Sequence, residues 1–316
     1  MVRQVQHWVP QFMLRKFADA GGKTFKFDKR NGSISKITPR KAAAEVGFNE
    51  FIFEGKPMSL EFRFEQYETA VAPLLKKITQ ERSTKFLSST DRSQISEFIV
   101  LQSFRTEAFH RGFAPHLTRK EFGVQLQSAL QNLDFIANFV RARPFLLMHT
   151  EASAPFWLGD SPVTLQRTDQ ASDAHQLGFD LPGVDVYFPL DPENALYLPC
   201  PMVAKEIVSG YLNAKRIHQE IRLATMQGKR HIFDGSEFVR ITQRTLMNSQ
   251  HLYEAVMSGT PIAASAENVE NFNFLQLRGA SSSVFSRLGD FSLAEIILKN
   301  SPNNRNVQRV TMQSIF

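Results

Sequence analysis

Leu60–Ile78 reads LEFRFEQYETAVAPLLKKI. Leu60, Phe64, Tyr67, Val71, Leu74, Leu75 and Ile78 recur at the three- and four-residue steps of one helix face, which predicts a helix over 58–82. A second helix follows the Ser88-Ser89-Thr90 cap and runs to Arg111, where Gly112 ends it. Its inward positions are Ile95, Phe98, Ile99 and Phe109. A third spans 118–142 through Phe122, Leu126, Leu130, Leu133, Ile136, Ala137 and Val140, and Pro144 closes it. These segments predict a helical core over 57–143.

Outward from that core the pattern changes. Lys23–Asp28 and Ser33–Thr38 alternate around Lys29-Arg30-Asn31-Gly32, the signature of a β-hairpin. Phe48–Glu54 adds a short strand. Downstream, Phe145–Thr150, Phe156–Gly159, Val163–Arg167, Val184–Pro189 and Ala195–Leu198 read as short strands divided by Pro, Gly and Asp turns. Residues 168–183 read as a polar loop. Helices follow over 203–226 and 237–257, with Lys229-Arg230-His231 as helix-end charges. The expected fold class is α+β: a mainly helical core, a small mixed or antiparallel sheet and an N-terminal β-hairpin. The expected organisation is one domain over 1–258, made of a basic hairpin segment (1–56), the helical core (57–143), a sheet region (144–200) and helices (201–258). Residues 259–316, where the periodicity weakens, are expected to form a peripheral extension.

Composition narrows the class. At 316 residues, 42% hydrophobic and 22% charged, the chain has ample material for a core. The 28 phenylalanines, against 5 Tyr and 2 Trp, read first as core packing, because Phe buries a large apolar area with no polar atom to satisfy. Cys200 is the only cysteine, which excludes an intrachain disulfide and a cysteine-based zinc site. No signal-peptide core and no membrane-spanning apolar run is present, so a soluble, cytoplasmic protein without membrane association is expected. The net charge is +6, yet residues 1–41 hold ten basic and two acidic residues, net +8, leaving −2 for the rest. Arg15, Lys16, Lys26, Lys29 and Arg30 therefore form an expected nucleic-acid-binding face. A solvated, solubilising surface is the alternative.

The functional signal is polarity that interrupts the helical stripes. At about 100° per residue, Glu68 lies about 40° and Glu61 about 60° from Phe64. Gln102 lies about 20° and Arg105 about 80° from Ile95. A carboxylate from one helix and an amide and guanidinium from the next thus point inward. They form either a structural clamp or the floor of a cleft in which Arg105 takes an anionic group such as phosphate. Asp160, in Gly159-Asp160-Ser161-Pro162-Val163, makes either a turn or a strand-end carboxylate. Glu68 and Asp160 are the candidate ligands of a divalent metal, and His7 a proton carrier. Arg105 and His110 also match the R-x4-H spacing of helical HEPN ribonucleases, but an ideal helix sets them about 140° apart. No P-loop, G-x-G-x-x-G, H-E-x-x-H or G-x-S-x-G motif occurs.

The run His7-Trp8-Val9-Pro10-Gln11-Phe12-Met13-Leu14-Arg15-Lys16-Phe17 resembles the opening of a bacterial family, domain of unknown function 4238. Leu60-Glu61 with Glu68, Gln102-Ser103-Phe104-Arg105-Thr106, Gly159–Val163, Pro189-Leu190-Asp191-Pro192 and a late Asn248 follow in the family's order, over roughly residues 5–258. The departures are Gly159, Ser161 and Asp191, where the family has Ser, Asn and Ser. The resemblance implies that His7, Glu68, Gln102, Arg105 and Asp160 form one constellation. It implies no activity. The leading expectation is a hydrolase-like enzyme acting on nucleic acid or a nucleotide, of the defence or toxin nuclease type. A non-catalytic nucleic-acid or protein-binding module is the second, and a metal-independent HEPN-like RNase the third. Oligomeric state is left open, a homo-oligomer included.

Overall fold

The computed structural model describes residues 5–168, 177–228 and 235–306. The elements run β1 (Val5–His7), α1 (Gln11–Lys16), β2 (Thr24–Asp28), β3 (Ser33–Ile37), β4 (Ala44–Val46), β5 (Glu50–Phe53) and β6 (Lys56–Ser59). Helices α2 (Glu61–Glu81), α3 (Ser89–Phe104), α4 (Glu107–Phe113), α5 (Arg119–Ala129) and α6 (Leu133–Arg141) come next. They are followed by β7 (Leu146–His149), β8 (Leu158–Gly159), β9 (Thr164–Arg167), β10 (Val184–Asp191) and β11 (Asn194–Leu198). The last elements are α7 (Pro201–Met226), α8 (Gly235–Ser258), β12 (Ile262–Ala263), α9 (Ala266–Gly279), β13 (Ser283–Ser286) and α10 (Ser292–Asn300). The fold is α+β, with the expected N-terminal hairpin in β2 and β3.

Two sheets organise the chain. One has the order β12-β7-β11-β10-β9, antiparallel except for the parallel β12–β7 pair. The other has the order β3-β2-β13-β8 and is antiparallel throughout. The largest apolar cluster joins α1, α2, α3, α5 and α6 to β10 and β11. Phe64, Val71, Leu75 and Ile78 of α2 are buried there, as the stripe predicted. Phe98 of α3 meets Phe188 of β10 edge-on, ring centroids 6.0 Å apart.

The long helix expected from Ser88 to Arg111 is broken. Arg105 caps α3, and the Thr106 hydroxyl accepts from Phe109 N at 3.2 Å to start α4. The cap supplies an acceptor to an otherwise orphaned N–H, so the chain turns where apolar periodicity alone ran on. The 118–142 segment is likewise two helices, α5 and α6, joined by a short 3-10 turn at Leu130–Asn132. Antiparallel α7 and α8 pair with each other, with Tyr211 stacked on Tyr253 at 4.2 Å, and α7 has no buried residue. Among the described residues no helix is long and apolar enough to cross a membrane.

The peripheral role expected for 259–316 is corrected. Strand β13 lies between β2 and β8, β12 joins the larger sheet, and Phe272, Leu277 and Phe285 are fully buried. The serines that make β13 look like a loop are all buried within the sheet. Their hydroxyls are small enough to be satisfied locally, as Ser286 shows by accepting from Leu288 N at 3.1 Å. Most of the 168–183 loop (169–176) and the Lys229-Arg230-His231 run lie outside the described residues.

Candidate functional site

The polar residues singled out on α2 and α3 meet. Arg105 Nη1 donates to Glu68 Oε1 at 2.7 Å, and Arg105 Nε donates to Gln102 Oε1 at 2.8 Å. Gln102 Nε2 donates to the Trp8 carbonyl at 2.7 Å. Gln102 is fully buried and Arg105 is 1% exposed, while the Glu68 side chain keeps 27% of its surface. The guanidinium also lies over the Phe64 ring, 5.2 Å from its centroid. Arg105 Nη2 is buried and unpartnered among the described residues. Glu61 stands beside this group, accepting from Asn49 Nδ2 at 2.6 Å, and burial raises its pKa.

His7 belongs to the same neighbourhood. Its Nε2 donates to the Arg40 carbonyl at 3.1 Å. Burial lowers its pKa, partly offset by the Arg40 and Pro39 carbonyls, with the Glu68 and Arg105 charges acting in opposite senses. Glu68, Gln102 and Arg105 are thus joined in one hydrogen-bonded network that reaches the Trp8 carbonyl, and His7, next to Trp8 in the chain, feels the charges of that network without a hydrogen bond to it.

Asp160 is turned to a different set of partners. Its Oδ1 accepts from Ser281 N at 2.6 Å. Its Oδ2 accepts from Ser282 N (2.9 Å), Ser283 N (3.0 Å) and Ser282 Oγ (2.8 Å). Burial raises its pKa, and the Ser281 and Ser282 donors together with the Lys29 charge act against that rise. The carboxylate therefore ties the β8 end to the entry of β13. The expected metal pair of Glu68 and Asp160 is not assembled: Glu68 Oε1 is on Arg105 and Asp160 on the serines. Among the described residues no three His, Cys, Asp or Glu side chains gather in a way that could hold an ion.

The expected basic face is corrected in part. Lys29 is fully buried, and its Nζ donates to the Leu277 and Asn306 carbonyls at 3.3 and 3.4 Å. Burial lowers its pKa to about 8 despite Asp160 nearby. The Lys16 ammonium is buried and unpartnered among the described residues. Arg15 is exposed and donates to Gln11 Oε1 at 2.6 Å. The HEPN condition fails too. Arg105 is buried at the C-terminal cap of α3, whereas His110 sits in α4 with its Nε2 donating to the Leu117 carbonyl and its ring on Phe122.

Lys26 and Arg30 do reach a cavity, and with them come residues the stripe argument missed. This cavity, about 630 Å³ and open to solvent, is lined by Trp8, Lys26, Arg30, Lys41, Glu107, Asp160, Ser282 and Ser283 among others. Arg30 donates Nε and Nη2 to Asp28 at 3.0 and 2.7 Å, and its Nη1 has no partner among the described residues. Lys41 is exposed and has no ion pair among the described residues. Glu107 pairs with Arg111 and accepts from Ser281 Oγ at 3.1 Å. Trp8 packs on Phe48 with ring centroids 4.5 Å apart and planes tilted by 32°, and its indole N–H is buried without a partner among the described residues. Ala43, also in the wall, holds a left-handed backbone (φ 46°) that costs a non-glycine residue about 1–2 kcal/mol. The one local signal for this site was the Ser281-Ser282-Ser283 run, three short donors in sequence.

A family model described as protein of unknown function (DUF4238) matches residues 5–134 and 119–290, and the chain belongs to that family. No curated protein and no solved structure matches the chain.

Proposed function

We propose that the protein binds a phosphate-bearing ligand, a nucleotide or a nucleic-acid segment, in the cavity between the β2–β3 hairpin and the start of α4. The observation that carries this is the gathering of three cationic side chains, Lys26, Arg30 and Lys41, around one cavity whose wall includes the aromatic residue Trp8. Phosphate oxygens satisfy such donors, and a nucleobase stacks on an aromatic ring. On this reading Glu68, Gln102 and Arg105 are positioning residues. They hold the Trp8 carbonyl, and so fix the indole that lines the cavity.

Titration calorimetry with inorganic phosphate, ATP and a short single-stranded RNA tests the reading. Saturable binding is expected to at least one of them, weakening with salt and falling tenfold or more in Lys41→Ala. Absence of binding to all three, or binding indifferent to Lys41→Ala, overturns it.

A second reading keeps the hydrolase-like expectation, because Glu107 and Asp160 share the cavity with the cations. Glu107 is the better base of the two, since Asp160 already accepts four hydrogen bonds. Phosphodiester turnover lost in Glu107→Gln with ligand affinity retained would support it. Binding without turnover, with or without divalent metal, leaves a binding module.

A further inference from the structure

A second cavity, partly open to solvent, lies on the other side of the wall from the first. Neighbouring residues divide between them: Glu107 and Asp160 line the first, Ala108 and Ser161 the second. Its walls are apolar, built from Ala108, Phe109, Val163, Leu165 and Leu275. The hydroxyls at its edge are already engaged. Ser103 Oγ donates to the Ile99 carbonyl at 3.1 Å, Ser161 Oγ is 3.3 Å from Thr106 Oγ1, and Thr164 Oγ1 is 3.5 Å from Gln276 Nε2. One charged group lines it, Arg278 in the last turn of α9.

Arg278 is half-buried and lies over the Phe274 ring, 6.0 Å from the centroid, with no hydrogen bond or ion pair among the described residues. Among the described residues no carboxylate pairs with it, and burial lowers its pKa. A guanidinium stays charged at any physiological pH, so a half-buried one without a counter-ion is costly. The negative end of α9 offsets only part of that cost. An apolar cavity with a single oriented cation has the make-up of a site for a small amphipathic anion. The planar guanidinium fork suits a carboxylate, taken by two parallel N–H donors.

We infer that this cavity binds a small monocarboxylate with an aliphatic chain, the chain among Ala108, Phe109, Val163, Leu165 and Leu275 and the carboxylate on Arg278. The inference is independent of the phosphate reading, because none of these residues lines the first cavity.

Octanoate and 1-octanol, titrated into the full chain by calorimetry, are the probes. Octanoate binds saturably and at least tenfold tighter than the alcohol. Arg278→Gln, which removes no hydrogen bond among the described residues, abolishes that preference. Ala108→Leu, which fills the cavity, weakens both ligands. In the unmodified protein, the carboxyl carbon of ¹³C-labelled octanoate titrates at lower pH when bound than when free. No saturable binding, an unchanged preference in Arg278→Gln, or an unshifted carboxyl titration overturns the inference.

Discussion

Removing Glu68 should damage the protein more than removing Arg105, and removing both should repair part of the damage. Glu68→Ala leaves the Arg105 guanidinium 1% exposed and without its carboxylate. Breaking a buried pair from one side in this way costs about 3–5 kcal/mol. Because Glu68 is itself 27% exposed, water screens the pair and the lower end applies, about 3 kcal/mol. Arg105→Met takes the buried charge away. Glu68 then rehydrates at the surface it already has, and the main loss is the unpaired Gln102 Oε1, about 1–3 kcal/mol. In the double variant no charge is stranded, so its stability should match Arg105→Met and exceed Glu68→Ala. Urea unfolding followed by circular dichroism on all four proteins reads these differences as midpoint shifts at constant slope. A double variant as unstable as the sum of the singles would refute the reasoning, since the two side chains would then act independently.

Three further outcomes follow from the same geometry. Lys29 has a folded pKa near 8 against an ordinary 10.5, so between these values the unfolded chain holds a proton that the folded one lacks. Stability should rise from pH 8 to 10.5 by about 3 kcal/mol relative to Lys29→Met, and parallel pH profiles of the two proteins would contradict this. Asp160→Asn places an amide N–H₂ among serine donors, orphaning at least one buried N–H at about 1–3 kcal/mol. The amide oxygen is retained on the side that accepts from Ser282 and Ser283, so hydrogen exchange at Ser281 should accelerate, and unchanged protection there would count against the anchor. Thr106→Val removes the α4 cap at a cost of about 1 kcal/mol, measurable as a lowered urea midpoint.

The helical half of the fold was legible because Phe64, Val71, Leu75 and Ile78 bury one face of α2 against one core, and such burial writes its period into the sequence. Breaks were harder. Arg105-Thr106 interrupts an apolar run through a side-chain cap, which competes with the helix locally and leaves the period intact. Strand β13 was unreadable because its serines are buried among sheet neighbours from residues 24–28 and 158–159, partners distant in the chain. The Glu68–Arg105–Gln102 group could be found because each residue is polar at an inward helical position. Lys41 and Glu107 gave no such sign. They lie at the end of a 3-10 turn (Pro39–Lys41) and at the start of α4, where a charged side chain is ordinary, and tertiary proximity alone joins them. Lys29, at the hairpin turn, looked exposed by its neighbours Arg30 and Asn31, yet the C-terminal residues cover it.

The central claim is that ligand phosphate enters the cavity beside Trp8. Trp8 and Trp157 are the two tryptophans, and Trp157 lies in a separate apolar cluster. A Trp157→Phe protein therefore reports from Trp8 alone. Titrating it with ATP should change the Trp8 emission saturably, at the same midpoint as calorimetry, and the change should vanish in the added Lys41→Ala background. ATP binding that leaves Trp8 emission unchanged, or an emission change that persists in the Lys41→Ala background, would contradict the account.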